Sequence, residues 1–589
     1  MYKYFSVLAL LFFTQYGLSQ TISGERGGKP PNIIIIMTDD QGYGDFGVTG
    51  NDIIETPVIN QLAYESVRFE RFFVSPVCAP TRAALLTGRY YLRTGVTGVT
   101  RREEVMNSEE VTIAEYLKDA GYATGCFGKW HNGSNYPFDP TGQGFDEFWG
   151  FTDGIIRNYF NTRLKHNTEV VETEGYLTDF FTDKAIDFIE ENRDGPFFCY
   201  LPYNVPHTPI QVQDSLFQKY RAKGVDEYTA GIYAMCETVD HNMAKLLTAL
   251  QDLNLEENTV IFFLTDNGPN GVRYNGGMKG KKASIDEGGV RVPLFVRWKG
   301  YFQPNRVTPH RVVTELADHI DILPTVLDLC GIPLPDQPQV DGESLLPLLT
   351  GSNTEWEERP LFTYYNGKGA VRTNRYRLTV ERDGQTKLYD MWADPSQLKD
   401  ISQQQPYKTK ELHQLYRNWL ADVNPTDDNP PVEVGHLEQS VVELPTTGGD
   451  LSGEIVYKNQ HGWSYDWAVN WVSVGDSITW DINVVKEGKY EVFLQYLVPP
   501  GNEGATVMVQ VGNQQLQKTI RESFVPEAYP SPDNVDRGRA PEMVWQNFSW
   551  GTLQLKPGKY SLTVKATDIP QAQVGELYGL KIVKKNSSN

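Results

Sequence analysis

The run Cys78-Ala79-Pro80-Thr81-Arg82 continues to Leu86-Thr87-Gly88-Arg89. Pro80 suits the first turn of a helix and Gly88 its end, so the spacing predicts Cys78 at a helix N-terminus. The dipole and free N–H groups there stabilise negative charge on residue 78 and on a bound anion. Arg82, one turn along, adds a fixed positive charge. Reactive cysteines favour such electropositive places; the plainer alternative is a helix-start cysteine beside an exposed arginine.

Two other stretches carry hard oxygen donors. The apolar run Asn32-Ile33-Ile34-Ile35-Ile36-Met37 ends in Thr38-Asp39-Asp40, and Val260 to Leu264 ends in Thr265-Asp266-Asn267-Gly268. Short β-branched runs of this kind are parallel-sheet strands buried on both faces, and open α/β sheets bind ligands at the carboxyl ends of their strands. Asp39, Asp40, Asp266 and Asn267 suit Ca²⁺ or Mg²⁺ rather than zinc. An ion held there would polarise an anionic substrate. Asp39-Asp40 alone also fits a strand-end turn; two such strand ends beside the cysteine run argue for a site. Asp45 is close by but is not included among the ligands.

These residues need a scaffold. Helical patterns at Thr112 to Ala120, Asp179 to Asn192 and Tyr228 to Leu250 fall between the strands. Such alternation predicts an α/β fold, a mostly parallel sheet between helices. A smaller part of the same domain is expected from about 310, with a helix over Leu316 to Leu329, hairpin strands at Tyr376 to Val380 and Lys387 to Met391, and a closing helix over Lys410 to Val423. Residues 426–445, rich in Pro, Asp, Asn and Glu, read as a linker. From 446 to 589, alternating runs at Tyr490 to Leu497, Ala505 to Val511 and Tyr560 to Val564, with turn signals between, predict a β-sandwich. Six of the twelve tryptophans lie in this part. They suit sugar stacking and buried strands equally.

The run from Cys78 resembles the signature Cys-x-Pro-Ser/Thr-Arg, followed by Thr-Gly-Arg, of the formylglycine-dependent (type I) sulfatases of the alkaline-phosphatase superfamily, and is similar to that of bacterial polysaccharide-degrading members. Thr81 stands where serine is commoner. Further blocks follow in the family's order: Gly128-Lys129-Trp130-His131, Tyr203 to Pro209 with Pro206-His207, and Gly280 to Pro293 with Glu287-Gly288-Gly289. The resemblance covers residues 30–425. It implies an alkaline-phosphatase-like sandwich and oxidation of Cys78 to formylglycine (3-oxoalanine) by a formylglycine-generating or anaerobic sulfatase-maturing enzyme. It also implies one Ca²⁺ held by Asp39, Asp40, residue 78, Asp266 and Asn267. Arg82, Lys129 and Lys282 would meet the sulfate, Lys282 being selected over Lys281 and Lys279 by counting back from Glu287. One hydroxyl of the hydrated aldehyde would attack sulfur while His207 protonates the departing sugar oxygen. His131 would help the other hydroxyl collapse and release sulfate, with Asp39 or another carboxylate assisting. The substrate implied is a sulfated polysaccharide or its oligosaccharides, such as ulvan or carrageenan, with glycosaminoglycans as the alternative.

Composition sets the outer limits. A chain of 589 residues exceeds one hydrophobic core, and 40% hydrophobic with 22% charged residues is ordinary for a folded protein. The net charge of −21 argues against nucleic acid as a partner and requires cations focused in the cleft if the substrate is a polyanion. Arg101, Arg102 and Arg157 are candidates for added contacts to uronate or sulfate. Lys3, the apolar run Phe5 to Phe13 and Leu18-Ser19-Gln20 read as a secretory signal peptide over residues 1–20. The protein is therefore expected to be exported, periplasmic or secreted, with no membrane attachment after cleavage. Besides Cys78, the cysteines Cys126, Cys199, Cys236 and Cys330 lack metal-ligand clustering and read mostly as small buried hydrophobes. The rival readings are a phosphatase or phosphodiesterase of the same fold, a cysteine hydrolase and a non-catalytic carbohydrate-binding protein.

Overall fold

The computed structural model describes residues 29–299, 301, 311–351, 356–423, 429–538 and 541–585. The signal-peptide stretch, 1–20, lies outside the described residues. The central sheet is built around β1 (Asn32–Thr38), which pairs in parallel with β7 (Phe197–Pro202) on one side and β8 (Thr259–Thr265) on the other. β3 (Ala123–Lys129) continues the parallel run beyond β7, and β4 (Glu147–Phe151) lies beyond β3. On the other flank β9 (Arg291–Trp298) runs antiparallel to β8, followed by β2 (Val67–Phe73). Burial explains the continuous apolar runs. Ile33, Ile35 and Met37 face one core, and Ile34 and Ile36 face the other. With both faces covered, no polar alternation is available.

Helices cover both faces. Ile113–Asp119 begins with a capping box in which Thr112 accepts from the Glu115 amide and Glu115 from the Thr112 amide. Leu177–Glu191 and Glu227–Asp252 match the expected helices to within three residues at each end. The helix expected over 316–329 is shorter. Ala317–Asp318 adds a short parallel strand beside β2, and the helix proper is Ile322–Cys330. Asp318 and Asp321 cap this turn onto each other's amides, so the chain cannot enter the helix earlier. Residues 311–318 therefore extend the central sheet, and the smaller part expected from about 310 begins later. It is a four-stranded antiparallel sheet, Leu361–Tyr365, Lys368–Arg372, Tyr376–Val380 and Thr386–Asp390, under the helix Pro406–Val423. Arg372 and Arg377 from this sheet both reach Glu287 Oε2 at 3.2 Å, tying it to the Glu287-Gly288-Gly289 block.

The C-terminal part is a pair of six-stranded sheets, mostly antiparallel, enclosing their own core. The linker expected over 426–445 needs correction. Val432–Val434 pairs with Ser477–Val484, and Val441–Pro445 pairs with Glu576–Lys584. The composition of 426–445 suggested a linker, but Val432, Val434, Val442 and Leu444 alternate inward to the sandwich core. Trp471, Trp480 and Trp550 fill that core. The Trp480 indole donates to the Pro445 carbonyl at 3.0 Å. Trp467 is buried, whereas Trp463 is 39% exposed and stacks on His461.

Arg101, Arg102 and Arg157, expected as added substrate contacts, donate to the sandwich at the His461, Pro430 and Ser464 carbonyls. Nothing in their local sequence separates an interface arginine from a solvated one. No described helix is long and apolar enough to cross a membrane.

Candidate active site

Four adjacent parallel strands, in the order β8, β1, β7, β3, end at one place. Their carboxyl ends deliver Asp266-Asn267, Asp39-Asp40, the loop with His207, and Lys129 followed by His131. The helix Cys78–Thr87 points its first residue at this edge. All ten of its residues are buried, and Gly88, with φ of 67°, closes it by donating to the Ala84 carbonyl. The Cys78 sulfur groups with carboxylate oxygens of Asp39 and Asp266, the three atoms lying within 4.8 Å of one another.

Backbone geometry sharpens the cluster. Asp40 and His131 both have φ of 64°, the left-handed region that side-chain-bearing residues seldom adopt. At Asp40 this turns the amide onto Asp266 Oδ1, at 3.0 Å. Gly268 donates to the Gly289 carbonyl at 2.9 Å, and a Cβ at Gly268 would lie 2.1 Å from the Gly288 carbonyl oxygen. Glycine is required for that approach, which fixes Asn267 beside the Glu287 block.

The cations are held by the acids. Arg82 Nη2 donates to Asp266 Oδ2 at 2.8 Å and Nη1 to the Lys129 carbonyl at 2.9 Å. Lys129 Nζ lies 2.8 Å from Asp39 Oδ2, and Lys282 Nζ lies 2.6 Å from Asp40 Oδ1. The loop bearing Lys282 is fastened by its own amide to Pro269 and by the Ala283 amide to Pro76, just before the helix Cys78–Thr87. Lys279 pairs instead with Asp286, and Lys281 is exposed.

Several buried oxygens remain without a hydrogen-bond donor: Asp39 Oδ1, Asp40 Oδ2 and Asn267 Oδ1. The Asn267 amide nitrogen donates to Asp40 Oδ1 and to the Gly268 carbonyl, which turns its oxygen free. Burial and then the neighbouring Asp39 raise the Asp266 carboxyl above its ordinary range. Burial would raise Asp40 too, but Lys282 and His207 outweigh it and hold that carboxyl well below the usual range. Three carboxylates and a free amide oxygen in one dry place fit a hard divalent cation of the calcium type. Asp45 is not part of this set, because Arg273 Nε holds it at 2.7 Å and the Gly42 amide donates to it at 2.7 Å.

The histidines differ. His131 Nε2 meets the Val99 carbonyl at 3.0 Å, so that nitrogen carries the proton. Burial and then Lys129 depress its pKa, leaving a neutral ring whose buried Nδ1 has no partner. His207 Nδ1 donates to the Thr208 carbonyl at 2.7 Å, and Nε2 faces Asp40 Oδ2 at 3.5 Å. Burial lowers its pKa to about 3, Asp40 only partly offsetting it. Burial also pushes the Cys78 thiol up, with Lys129 and Lys282 opposing. A thiol in that state is a poor thiolate nucleophile, which disfavours the cysteine-hydrolase reading. The structure thus brings Cys78, Arg82, Lys129, His131, His207, Lys282 and the four oxygen-bearing side chains to one strand-end edge. Sequence reading missed the Val99 carbonyl and the Arg273–Asp45 pair, neither of which lies in a recognisable motif.

Comparison with known proteins supplies independent context. A family model described as Sulfatase matches residues 31–332, and one described as N-sulphoglucosamine sulphohydrolase, C-terminal, matches 280–423. N-acetylgalactosamine-6-sulfatase of Canis lupus familiaris is 32% identical over 389 residues, covering 59% of this chain and 71% of that protein. Arylsulfatase A of Homo sapiens is 34% identical over 419 residues, covering 64% and 79%. The solved structure of Ps i-CgsB in complex with k-i-k-neocarrahexaose superposes with a TM-score of 0.63 at 29% identity, covering 68% of this chain and 94% of that one.

Proposed function

Because the chain belongs to the sulfatase family and is a sulfuric ester hydrolase, we propose that it removes sulfate from a sulfated polysaccharide or its oligosaccharides, with residue 78 as nucleophile. The observation that carries this reading is the juxtaposition of Cys78 with donor-free oxygens on Asp39, Asp40 and Asn267 and with the cations Arg82, Lys129 and Lys282. Oxidised to formylglycine by a maturing enzyme, residue 78 supplies a hydrated aldehyde hydroxyl for attack on sulfur. Asp39, Asp40, Asp266, Asn267 and residue 78 would hold a calcium ion, which would supply Lewis-acid polarisation of the sulfate oxygens.

The side chains do the rest. Lys129 and Lys282 receive the anionic group in a site from which water is largely excluded, where preorganised charge is most effective. Arg82 keeps Asp266 and the Lys129 backbone in register. His131, with its proton fixed on Nε2 by Val99, offers Nδ1 as a proton acceptor near residue 78. His207 is neutral without substrate; an arriving sulfate brings negative charge that raises its pKa, so that Nε2 can take and then deliver a proton to the leaving oxygen.

Carrageenan is the favoured substrate class, supported by the likeness to the structure solved with neocarrahexaose. Glycosaminoglycans are the second reading, supported by the N-acetylgalactosamine-6-sulfatases. Inorganic sulfate release from carrageenan, ulvan and glycosaminoglycan oligosaccharides tests the choice. Activity confined to small aryl or lipid sulfates would overturn the polysaccharide reading. We also propose that the protein is exported, which fits this use.

A further inference from the structure

The loops that contact the two histidines lie outside the helices and strands of the central sheet, yet their outer edges are all fastened to the C-terminal sandwich. The first loop, residues 97–105, presents the Val99 carbonyl to His131 Nε2. It folds on itself through Thr97 and Gly98 amides to the Glu103 carbonyl. Arg101 and Arg102 within it have φ of 60° and 68°, a conformation that persists only where surroundings enforce it. Those surroundings are the sandwich: Thr100 Oγ1 donates to the Gly462 carbonyl at 2.9 Å and Arg101 Nη2 to the His461 carbonyl at 2.9 Å.

A second loop passes between the histidines. A Cβ at Gly154 would lie 2.5 Å from His131 Nε2, so this segment sits against the imidazole. Three residues on, Arg157 Nη2 donates to the Ser464 carbonyl at 3.2 Å, and Asn158 donates to Glu542 at 3.2 Å. At its far end Tyr159 Oη donates to the His207 carbonyl at 2.7 Å.

The third loop leads away from His207. Gln211 Oε1 accepts from the Tyr159 amide at 2.7 Å, while its Nε2 donates to Asp533 Oδ1 at 2.7 Å. The Asn534 amide donates to the Ile210 carbonyl at 2.9 Å, and the Val212 amide donates to Asn534 Oδ1 at 2.8 Å. An arm of the sandwich is therefore hydrogen-bonded to the backbone three residues beyond His207.

We propose that the C-terminal sandwich is a positioning element of the active site, holding His131 through Thr100 and His207 through Asp533 and Asn534. This rests on the sulfatase reading of those histidines. It makes the sandwich necessary for turnover of substrates too small to touch it. Thr100, Gln211, Asp533 and Asn534 are positioning residues, acting through the loops they hold. Small displacements of such groups cost rate steeply.

The test uses the full chain and a sulfated monosaccharide or aryl sulfate that the unaltered protein hydrolyses. Thr100→Val removes the hydroxyl donor and Thr100→Ser keeps it; Asp533→Ala removes the acceptor for Gln211 and Asp533→Asn keeps it. The expected result is a roughly tenfold or larger fall in kcat for Val and Ala, with KM changed less than about twofold and most of kcat regained in Ser and Asn. Melting temperatures of all four variants should stay close to that of the parent. Full kcat in Thr100→Val and Asp533→Ala would overturn the proposal. So would an effect limited to KM on long polysaccharide, which is the signature of a glycan-binding module. A fall in kcat that Ser and Asn fail to restore would also overturn it. Failure of the sulfatase reading is distinct, because the unaltered protein would then release no sulfate.

Discussion

Arg82 donates to Asp266 at 2.8 Å with neither side chain exposed to solvent. The guanidinium also caps the Lys129 carbonyl, so one side chain joins the helix Cys78–Thr87, the β8 end and the β3 end. Removing one partner of a buried pair leaves the other charge uncompensated, which costs about 3–5 kcal/mol. Arg82→Ala should lose stability on that scale in urea denaturation and lose turnover. Arg82→Lys keeps the charge but not the fork, and should fold better than the alanine variant while remaining impaired in sulfate release.

Divalent metal should stabilise as well as activate. The donor-free oxygens of Asp39, Asp40 and Asn267 repel one another or stay unsatisfied without a cation. Chelation should lower both activity and melting temperature. Calcium should restore both better than zinc, since the donors are oxygens. At a calcium concentration 100 times Kd, the gain should approach about 2.7 kcal/mol. Unchanged melting in the presence of a chelator would remove calcium from the account.

Much of this site was legible because its residues sit in contiguous runs. Asp39-Asp40 and Asp266-Asn267 each follow an uninterrupted apolar strand, and burial on both faces leaves that pattern plain. The Pro80 and Gly88 signals fixed the helix behind Cys78. What was not legible depends on distant chain segments. Val432 and Val442 alternate correctly, but the surrounding Pro and Asp residues masked two short strands whose partners lie far along the chain. Arg101 and Arg102 look like solvated cations until the sandwich is placed beside them. The C-terminal part of the 316–329 segment is helical as read, while the Asp318–Asp321 cap displaced its start.

Stability should fall with rising pH at the interface between the two parts. Burial raises the Glu104 carboxyl to about 7, and its Oε2 has no hydrogen-bond partner. The folded protein thus holds this proton more tightly than the unfolded chain, whose value is near 4.5. The stabilising contribution is full below about 4.5 and is lost as pH rises through about 7. Glu104→Gln should flatten the melting temperature across that window and exceed the parent at higher pH. A parallel profile in the two proteins would contradict the assignment.

The sandwich tryptophans divide by burial. Trp480 is 2% exposed and anchored on Pro445, so Trp480→Ala should destabilise by about 3–5 kcal/mol. Calorimetry of the full chain reads this directly. A loss of glycan affinity with unchanged stability would instead make Trp480 a sugar contact.

The mechanism turns on the chemical state of residue 78. Mass analysis of the peptide containing residues 78–82, from protein produced in its own host and active in sulfate release, should show an aldehyde that reacts with carbonyl reagents. Cys78→Ala should keep the fold and release no sulfate. A full complement of unmodified thiol in an active preparation would contradict the mechanism.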